Sequence, residues 1–398
     1  MNTDTDIDQG KFQTAKVTLV STAHAVHDTY AGFLPALLPV LIQKFSLTNT
    51  AAGFLSLFTT VPSLLQPFIG QLADHTNLRL LIILAPAITG IAMSLLSIAP
   101  TYGLLVFLLV MAGLSSASLH AIGPVLGSTM AGRKLGRGMS FWMVGGELGR
   151  SLGPLVVVTA VSFLTIEGLP WLMLAGIFTS IFLFIKLNSI TTRPVIENNH
   201  QLGKIDQGKI WSVILPLAVL IVSRSMMAAS ISTFLPTFLT VEGSSLWTAG
   251  ASLSILQAAG VVGAFFSGSL SDRFGRRRLL AISYIMTPIL MFLFIQVKGW
   301  LNLPLLVLLG FFAFAVIPVI MAIVMENYPA NRSFANGIYM AFNFIVNSLA
   351  VVLTGRLGDL VNLRFTFLLS AGLILIGIPF IFFLPRSKKT IDPQVHQA

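Results

Sequence analysis

Apolar and polar positions alternate along this chain in long blocks rather than at the two-residue or 3.6-residue periods of half-buried elements. Runs of about twenty or more apolar residues recur, separated by short polar connections, which is the length a helix needs to cross the hydrocarbon of a bilayer. The blocks predict twelve membrane-spanning helices, at roughly 17–44, 51–73, 79–98, 101–131, 139–165, 169–188, 210–241, 247–271, 279–297, 301–328, 333–358 and 363–384. The expected fold class is therefore all-α integral membrane. Between the sixth and seventh blocks, residues 189–209 are polar and contain Pro194, Asn198, Asn199 and Gly203. They read as a cytoplasmic linker between an N-terminal six-helix half (1–188) and a C-terminal six-helix half (210–398).

Composition agrees with this pattern. Hydrophobic residues make up 55% of the chain and charged ones 10%, whereas a soluble domain carries about 25% charge to face water. The net charge of +10 could point to nucleic acid, but the basic residues sit in short loops between apolar blocks. Most of the 24 Lys and Arg lie in the tails and even-numbered connections, among them Arg79, Arg133, Lys134, Arg273, Arg276, Arg277, Arg278 and Arg386. The odd connections hold Lys44, Lys298, Arg364 and Arg356. By the positive-inside rule both termini are cytoplasmic, and no nucleic-acid partner is expected. Met1 to Gln9 are polar and acidic, and the first apolar run exceeds the core of a signal peptide, so no cleaved targeting sequence is expected. With no cysteine, disulfides and thiolate metal sites are excluded. No Walker loop or other cofactor motif is present, so neither ATP coupling nor a cofactor is expected.

The two halves echo each other. Gly70-Gln71-Leu72-Ala73-Asp74 returns as Gly268-Ser269-Leu270-Ser271-Asp272, Phe33-Leu34-Pro35 as Phe234-Leu235-Pro236, and Gly138 as Gly337. Such repeats place a substrate site at the bilayer midplane between halves. The second copy continues as Arg273-Phe274-Gly275-Arg276-Arg277-Arg278, a tight cationic turn. Gly268 can let helices approach, Gly275 can take positive φ, and Asp272 can accept from an Arg or a helix N-terminus. The first copy is eroded, with His75, Asn77 and a single Arg79 after Asp74. With Glu326 and Arg332 near the tenth block's end, Asp272 and Arg276 could form an ion-pair latch at the cytoplasmic side.

An ionisable group at mid-span costs about 2.5–3.5 kcal/mol on the insertion scale, so each one needs a reason to be there. At 1.5 Å per residue, Asp28, Arg150, His120 and Arg224 fall at roughly 16–21 Å along their helices, in one central layer. Span 1 reads His24-Ala25-Val26-His27-Asp28-Thr29-Tyr30, with His24 and Asp28 on one face. These groups could carry a proton, could form a fixed packing pair, or could hold a metal; no metal site is assigned. Span 5 carries Gly145, Gly149 and Gly153 as a close-packing stripe, with Glu147 and Arg150 three apart. Either those two form an intrahelical ion pair, or an incoming anion releases Arg150 and Glu147 takes a proton. Arg224 on span 7 is a candidate substrate contact or a structural partner of Asp28. Tyr30, His120, Gln257 and Asn343 complete the candidate substrate set, with Asn347 as a weaker one. His120 could equally be a packing histidine.

The full pattern G-x-x-x-D-R-x-G-R-R at Gly268–Arg277 resembles the loop signature of the major facilitator superfamily. The first half also resembles the fosmidomycin-resistance group of bacterial efflux transporters. That likeness rests on His24 to Pro39, Phe45-Ser46-Leu47-Thr48, Ser63-Leu64-Leu65-Gln66-Pro67 with Gly70, His120, and Val144-Gly145-Gly146 with Gly149 and Ser151-Leu152-Gly153-Pro154. Glu147 and Arg150 depart from the group, which would have uncharged residues there. The resemblance implies a multi-pass protein of the bacterial inner membrane, monomeric, without enzymatic activity. It would export a small organic anion or drug, such as a phosphonate, by proton antiport. A proton-coupled importer of an organic anion would use the same residues. A non-transporting membrane sensor would need a soluble domain, for which the tails are short.

Overall fold

In the computed structural model the described residues are 12–132, 134–187, 213–328 and 332–385; the side chains of residues 74, 128, 129, 135 and 332–337 lie outside the description. Among the described residues there is no strand. Twelve helices are long and apolar enough to cross a membrane: α1 (Thr14–Phe45), α2 (Asn49–Ala73), α3 (Arg79–Ile98), α4 (Tyr102–Gly127), α5 (Gly136–Leu164), α6 (Leu169–Leu187), α7 (Leu215–Val241), α8 (Leu246–Phe274), α9 (Arg276–Gln296), α10 (Gly299–Asn327), α11 (Ile338–Leu360) and α12 (Leu363–Phe383). These match the twelve expected spans to within about five residues at each end. The expected linker at 189–209 falls outside the described residues.

Helix starts follow from local chemistry. Thr48, Thr101, Ser245 and Asn362 each sit one residue before a helix in extended backbone, and each side chain accepts a hydrogen bond from a first-turn N–H. At the α8–α9 turn Gly275 has φ +94, a backbone region that a side chain would strain, as its place in the sequence suggested. The other expectation for this turn does not hold. A Cβ on Gly268 would meet nothing within 4 Å, so Gly268 makes no close helix approach here.

Within the first six helices α1 runs along α5, and α3 packs against α4 and α6; within the last six α8 runs along α10, and α9 and α7 pack on α12. The two sets meet through α2 on α11, α5 on α8, and the ends of α1 and α7. These meetings are tightest at the end carrying the odd-numbered connections. There the carboxylate of Asp359 accepts from the N–H groups of Asn49 and Thr50 at 2.7 and 2.8 Å. The N–H of Leu155 donates to Ser254 Oγ at 2.9 Å, and Trp247 Nε1 donates to Thr159 Oγ1 at 3.3 Å. Gly53 and Gly355 let α2 and α11 touch backbone to backbone. At the opposite end, the same four helices expose large apolar side chains, including Phe68, Leu72, Val144, Leu148, Phe265 and Phe274.

Candidate functional site

The glycine stripe of α5 builds the site. A Cβ at Gly145 would collide with the Ser21 carbonyl of α1, one at Gly149 with that of Ala25, and one at Gly153 with that of Thr29. Successive turns of α5 therefore lie on the backbone of α1, as small residues at four-residue spacing allow. Close approach carries Glu147 and Arg150 to the polar face of α1. Gly146 lies under the ring of His24, and Trp142, one turn earlier, stacks on that ring at a centroid distance of 3.8 Å.

Asp28 is the centre of the cluster and is 2% exposed. Its Oδ1 accepts from His27 Nδ1 at 2.9 Å. Its Oδ2 lies 3.4 Å from His24 Nε2 and 3.7 Å from Arg150 Nε, and His120 Nε2 is 3.8 Å from Oδ1. Arg150 Nη2 also donates to Glu147 Oε1 at 2.7 Å. Both sequence readings of the pair are thus present together: the intrahelical ion pair exists, and the same guanidinium faces Asp28. Arg224 is not the partner of Asp28; that place belongs to Arg150. The Arg150 side chain is 51% exposed although it sits mid-helix. A charged group at that depth needs a partner, and Arg150 has two carboxylates beside it.

His120 is no isolated packing histidine. It reaches the cluster from α4, with Nδ1 2.9 Å from the Ser116 carbonyl and Nε2 3.2 Å from His24 Nε2. The ligand atoms of His24, Asp28 and His120 lie within 4.8 Å of one another, a set of the kind that can hold a metal ion, although no metal site is expected from the residues alone. His120, not His27, completes it.

A second polar group lies in the last six helices. Arg224 is 7% exposed; its Nη2 donates to the Ala313 carbonyl of α10 at 3.2 Å, and its Nε has no hydrogen-bond partner among the described residues. No described carboxylate pairs with it. Tyr284 and Tyr339 are within electrostatic reach. Gln257 of α8 follows Leu256, whose carbonyl lies on Gly310 of α10. Asn343 lies one turn beyond Tyr339 on α11. The side-chain oxygens of Gln257 and Asn343 are buried and unpartnered among the described residues. The Asn347 position is half-buried on the same helix.

Tyr30 departs from its expected place. It is 4% exposed, donates its hydroxyl hydrogen to the Leu172 carbonyl and accepts from the Gly176 N–H at 3.0 Å. Its hydroxyl is spent on joining α1 to α6.

At the even-connection end, Arg276 Nη2 pairs with Asp272 at 2.5 Å and with Glu326 at 2.7 Å, and Arg276 also donates to Ser271. The latch members therefore meet, but they join α8, α9 and α10, all within the last six helices. Arg273 lies against the Phe274 ring. The side chains of Asp74 and Arg332 lie outside the description.

Sequence reasoning missed Trp142, Tyr284, Tyr339 and Asp359. Trp142 and Tyr339 each lie one helical turn from a residue already singled out, Gly146 and Asn343, and that spacing could have found them. Nothing local marks Asp359, whose partners are about 310 residues away.

The chain matches the Major Facilitator Superfamily model over residues 20–297 and 254–397. It is 24% identical over 380 residues to the fosmidomycin resistance protein of Escherichia coli (strain K12), covering 93% of this chain and 92% of that one. It is also 24% identical to an uncharacterized MFS-type transporter of Bacillus subtilis (strain 168), over 93% of both chains. The crystal structure of a bacterial homolog to human lysosomal transporter Spinster, in an inward-facing and occupied conformation, superposes with a TM-score of 0.77. It is 16% identical and covers 94% of this chain and 97% of that one. The chain belongs to the Major Facilitator Superfamily and is a multi-pass membrane transporter of small molecules, not an enzyme.

Proposed function

We propose that the protein is a proton-coupled exporter of a small organic anion, phosphonates included. In this reading it is a monomer of a bacterial inner membrane, with both termini cytoplasmic. It works by alternating access between an N-terminal half (1–188) and a C-terminal half (210–398) joined by the 189–209 linker. The observation that carries the reading is the mid-depth cluster of Asp28, His24, His27, His120, Glu147 and Arg150, half-exposed at Arg150. Ionisable groups gathered there serve proton relay or ion binding far more often than packing. On this assignment the conformation is inward-facing.

Arg224 supports the anion. A buried guanidinium stays charged, and leaving it without a counter-ion is costly. Gln257 and Asn343 leave buried acceptor oxygens unmatched among the described residues, and a substrate that also carries a hydrogen-bond donor gains affinity there. Arg150 is already engaged by Glu147 and Asp28, so an anion reaching it must compete with two carboxylates. The likeness to the fosmidomycin resistance protein favours a phosphonate among anions. In this scheme Asp272, Arg276 and Glu326 hold α8, α9 and α10 together as one side of the cytoplasmic gate, with Gly275 turning α8 into α9. Tyr30 holds α1 to α6.

The test uses inside-out vesicles with an acidic lumen and a pH-sensing dye. Fosmidomycin, simple carboxylates and uncharged lipophilic drugs are added in turn to the native protein and to Asp28→Asn. Proton efflux triggered by fosmidomycin or a carboxylate, and lost in the variant, is the expected result. Co-directional uptake of substrate and proton would show an importer, and efflux triggered only by uncharged drugs would remove the anion.

A further inference from the structure

The hydrogen bonds around His24 and His120 fix how many protons this cluster holds. A backbone carbonyl can only accept. His24 Nδ1, 3.0 Å from the Trp142 carbonyl, must therefore donate, and so must His120 Nδ1, 2.9 Å from the Ser116 carbonyl. Ser116 Oγ lies farther from that nitrogen, at 3.3 Å. If both imidazoles were neutral, each Nε2 would present a lone pair to the other at 3.2 Å. Two lone pairs at that distance repel; one proton between them turns the contact into a charge-assisted hydrogen bond.

The charges around the pair ask for the same proton. From α1, Asp28 faces both rings and His27 donates to Asp28, while His27 Nε2 is buried with no partner among the described residues. That orphan nitrogen marks His27 as the neutral member. From α5 come Arg150 and Glu147. The helices α3 and α6, also packed against α1, carry Lys, Arg, Asp, Glu or His only near their ends, at Arg79 and Lys186. Between Asn49 and Ala73, α2 carries no Lys, Arg, Asp, Glu or His. Two carboxylates against one guanidinium leave a net negative charge in a low-dielectric layer, and one added proton on the histidines neutralises it. Trp142 stacked on His24 adds a ring face to hold the cation.

We propose that the transported proton is carried as a single hydrogen shared between His24 Nε2 and His120 Nε2, bridging α1 and α4. Asp28 stays ionised as its counter-ion. The described conformation is the proton-loaded one. This deepens the proton-coupled reading above and rests on it for its role in transport, but the proton itself can be observed without transport. Loss of that hydrogen leaves the two rings repelling, which separates α4 from α1 and gives the proton a mechanical consequence.

The experiment is nitrogen NMR on the full-length protein labelled with 15N-histidine, at neutral pH in lipid. The expected result is one imidazolium signal with a through-bond or through-space connection between two Nε2 nuclei, absent in His120→Gln and in His24→Gln. In a parallel flux assay, substrate drives proton flux in the native protein and not in His120→Gln. Two neutral rings in the native protein, with proton-coupled flux intact, would overturn the shared proton and leave the exporter standing. An imidazolium signal in a protein with no proton-coupled flux would support the shared proton and remove the exporter. Co2+ binding at one equivalent with a tetrahedral visible spectrum, lost in His24→Gln, would also overturn it by making the pair metal ligands.

Discussion

Gly149 of α5 rests on the carbonyl oxygen of Ala25 in α1, with no room for a Cβ between them. This contact sets the distance between the helix that carries Asp28 and the helix that carries Arg150. Replacing Gly149 with Val should force the helices apart. Overpacking of a tight contact typically costs about 1–3 kcal/mol, and the displacement should also break the 3.7 Å approach of Arg150 to Asp28. A lowered melting temperature together with lost proton-coupled flux is expected. Gly136→Val, at a position where a Cβ meets nothing within 4 Å, should change neither.

Tyr30 tests the difference between a cavity residue and a joint. Tyr30→Phe removes the hydroxyl that bonds the Leu172 carbonyl and the Gly176 N–H. Leaving those buried groups unmatched costs about 1–3 kcal/mol. Thermal stability should therefore fall while the KM for substrate stays within about twofold of native, since a hydroxyl spent on α6 contributes nothing to the bound anion. A KM raised tenfold with unchanged stability would return Tyr30 to the substrate site.

The fold was legible because bilayer thickness imposes one length on every span, and the ends follow from capping residues such as Thr48 and Asn362. The mid-depth charges were legible for a related reason: Asp28 and Arg150 stand out in apolar blocks, and helical rise puts them at one depth, where the structure brings them together. The glycine stripe told which face of α5 touches a neighbour. What one-dimensional periodicity could not give is the rotation of one helix relative to another. That rotation puts His120 against His24, gives Asp28 to Arg150 rather than Arg224, and turns Tyr30 towards α6. Gly268 shows the same limit, because a small residue permits close packing without requiring it.

Arg224 and Arg150 should respond differently to substitution. Arg224 has no carboxylate partner among the described residues, so its guanidinium gains most from a bound anion. A hydrogen bond to a charged group is worth about 1.5–3 kcal/mol, or roughly ten- to a hundredfold in affinity. Arg224→Gln should raise the KM for an anionic substrate by that factor. Arg224→Lys should recover only part of the loss, because an ammonium lacks the planar fork. Binding of fosmidomycin followed by calorimetry checks both. Equal affinity in native protein and Arg224→Gln would move the anion to Arg150.

Asp359 offers control over which end of the transporter is closed. Its carboxylate accepts from two first-turn N–H groups of α2 and from the Thr50 hydroxyl. It thus serves as a helix cap supplied by another helix, where a negative charge also opposes the positive end of the helix dipole. The contact can exist only while α2 and α11 touch at the odd-connection end, so its energy counts towards that closed state alone. Asp359→Asn keeps the shape but loses the charge and one acceptor oxygen. At about 1 kcal/mol for a lost cap, the closed state should lose roughly fivefold in population relative to the alternative. The chain has no native cysteine, so Leu253→Cys, buried on α8 near the α5 contact, can report opening by its reaction with an impermeant maleimide in right-side-out vesicles. Labelling several-fold faster in Asp359→Asn is the expected outcome. Unchanged labelling would mean that the packing of Gly53 and Gly355 and the α5–α8 contacts hold that end shut without the cap. Because Asp359 touches neither the histidine pair nor Arg224, its variant should leave the NMR signature of the shared proton in place, which separates the gate from the proton it serves.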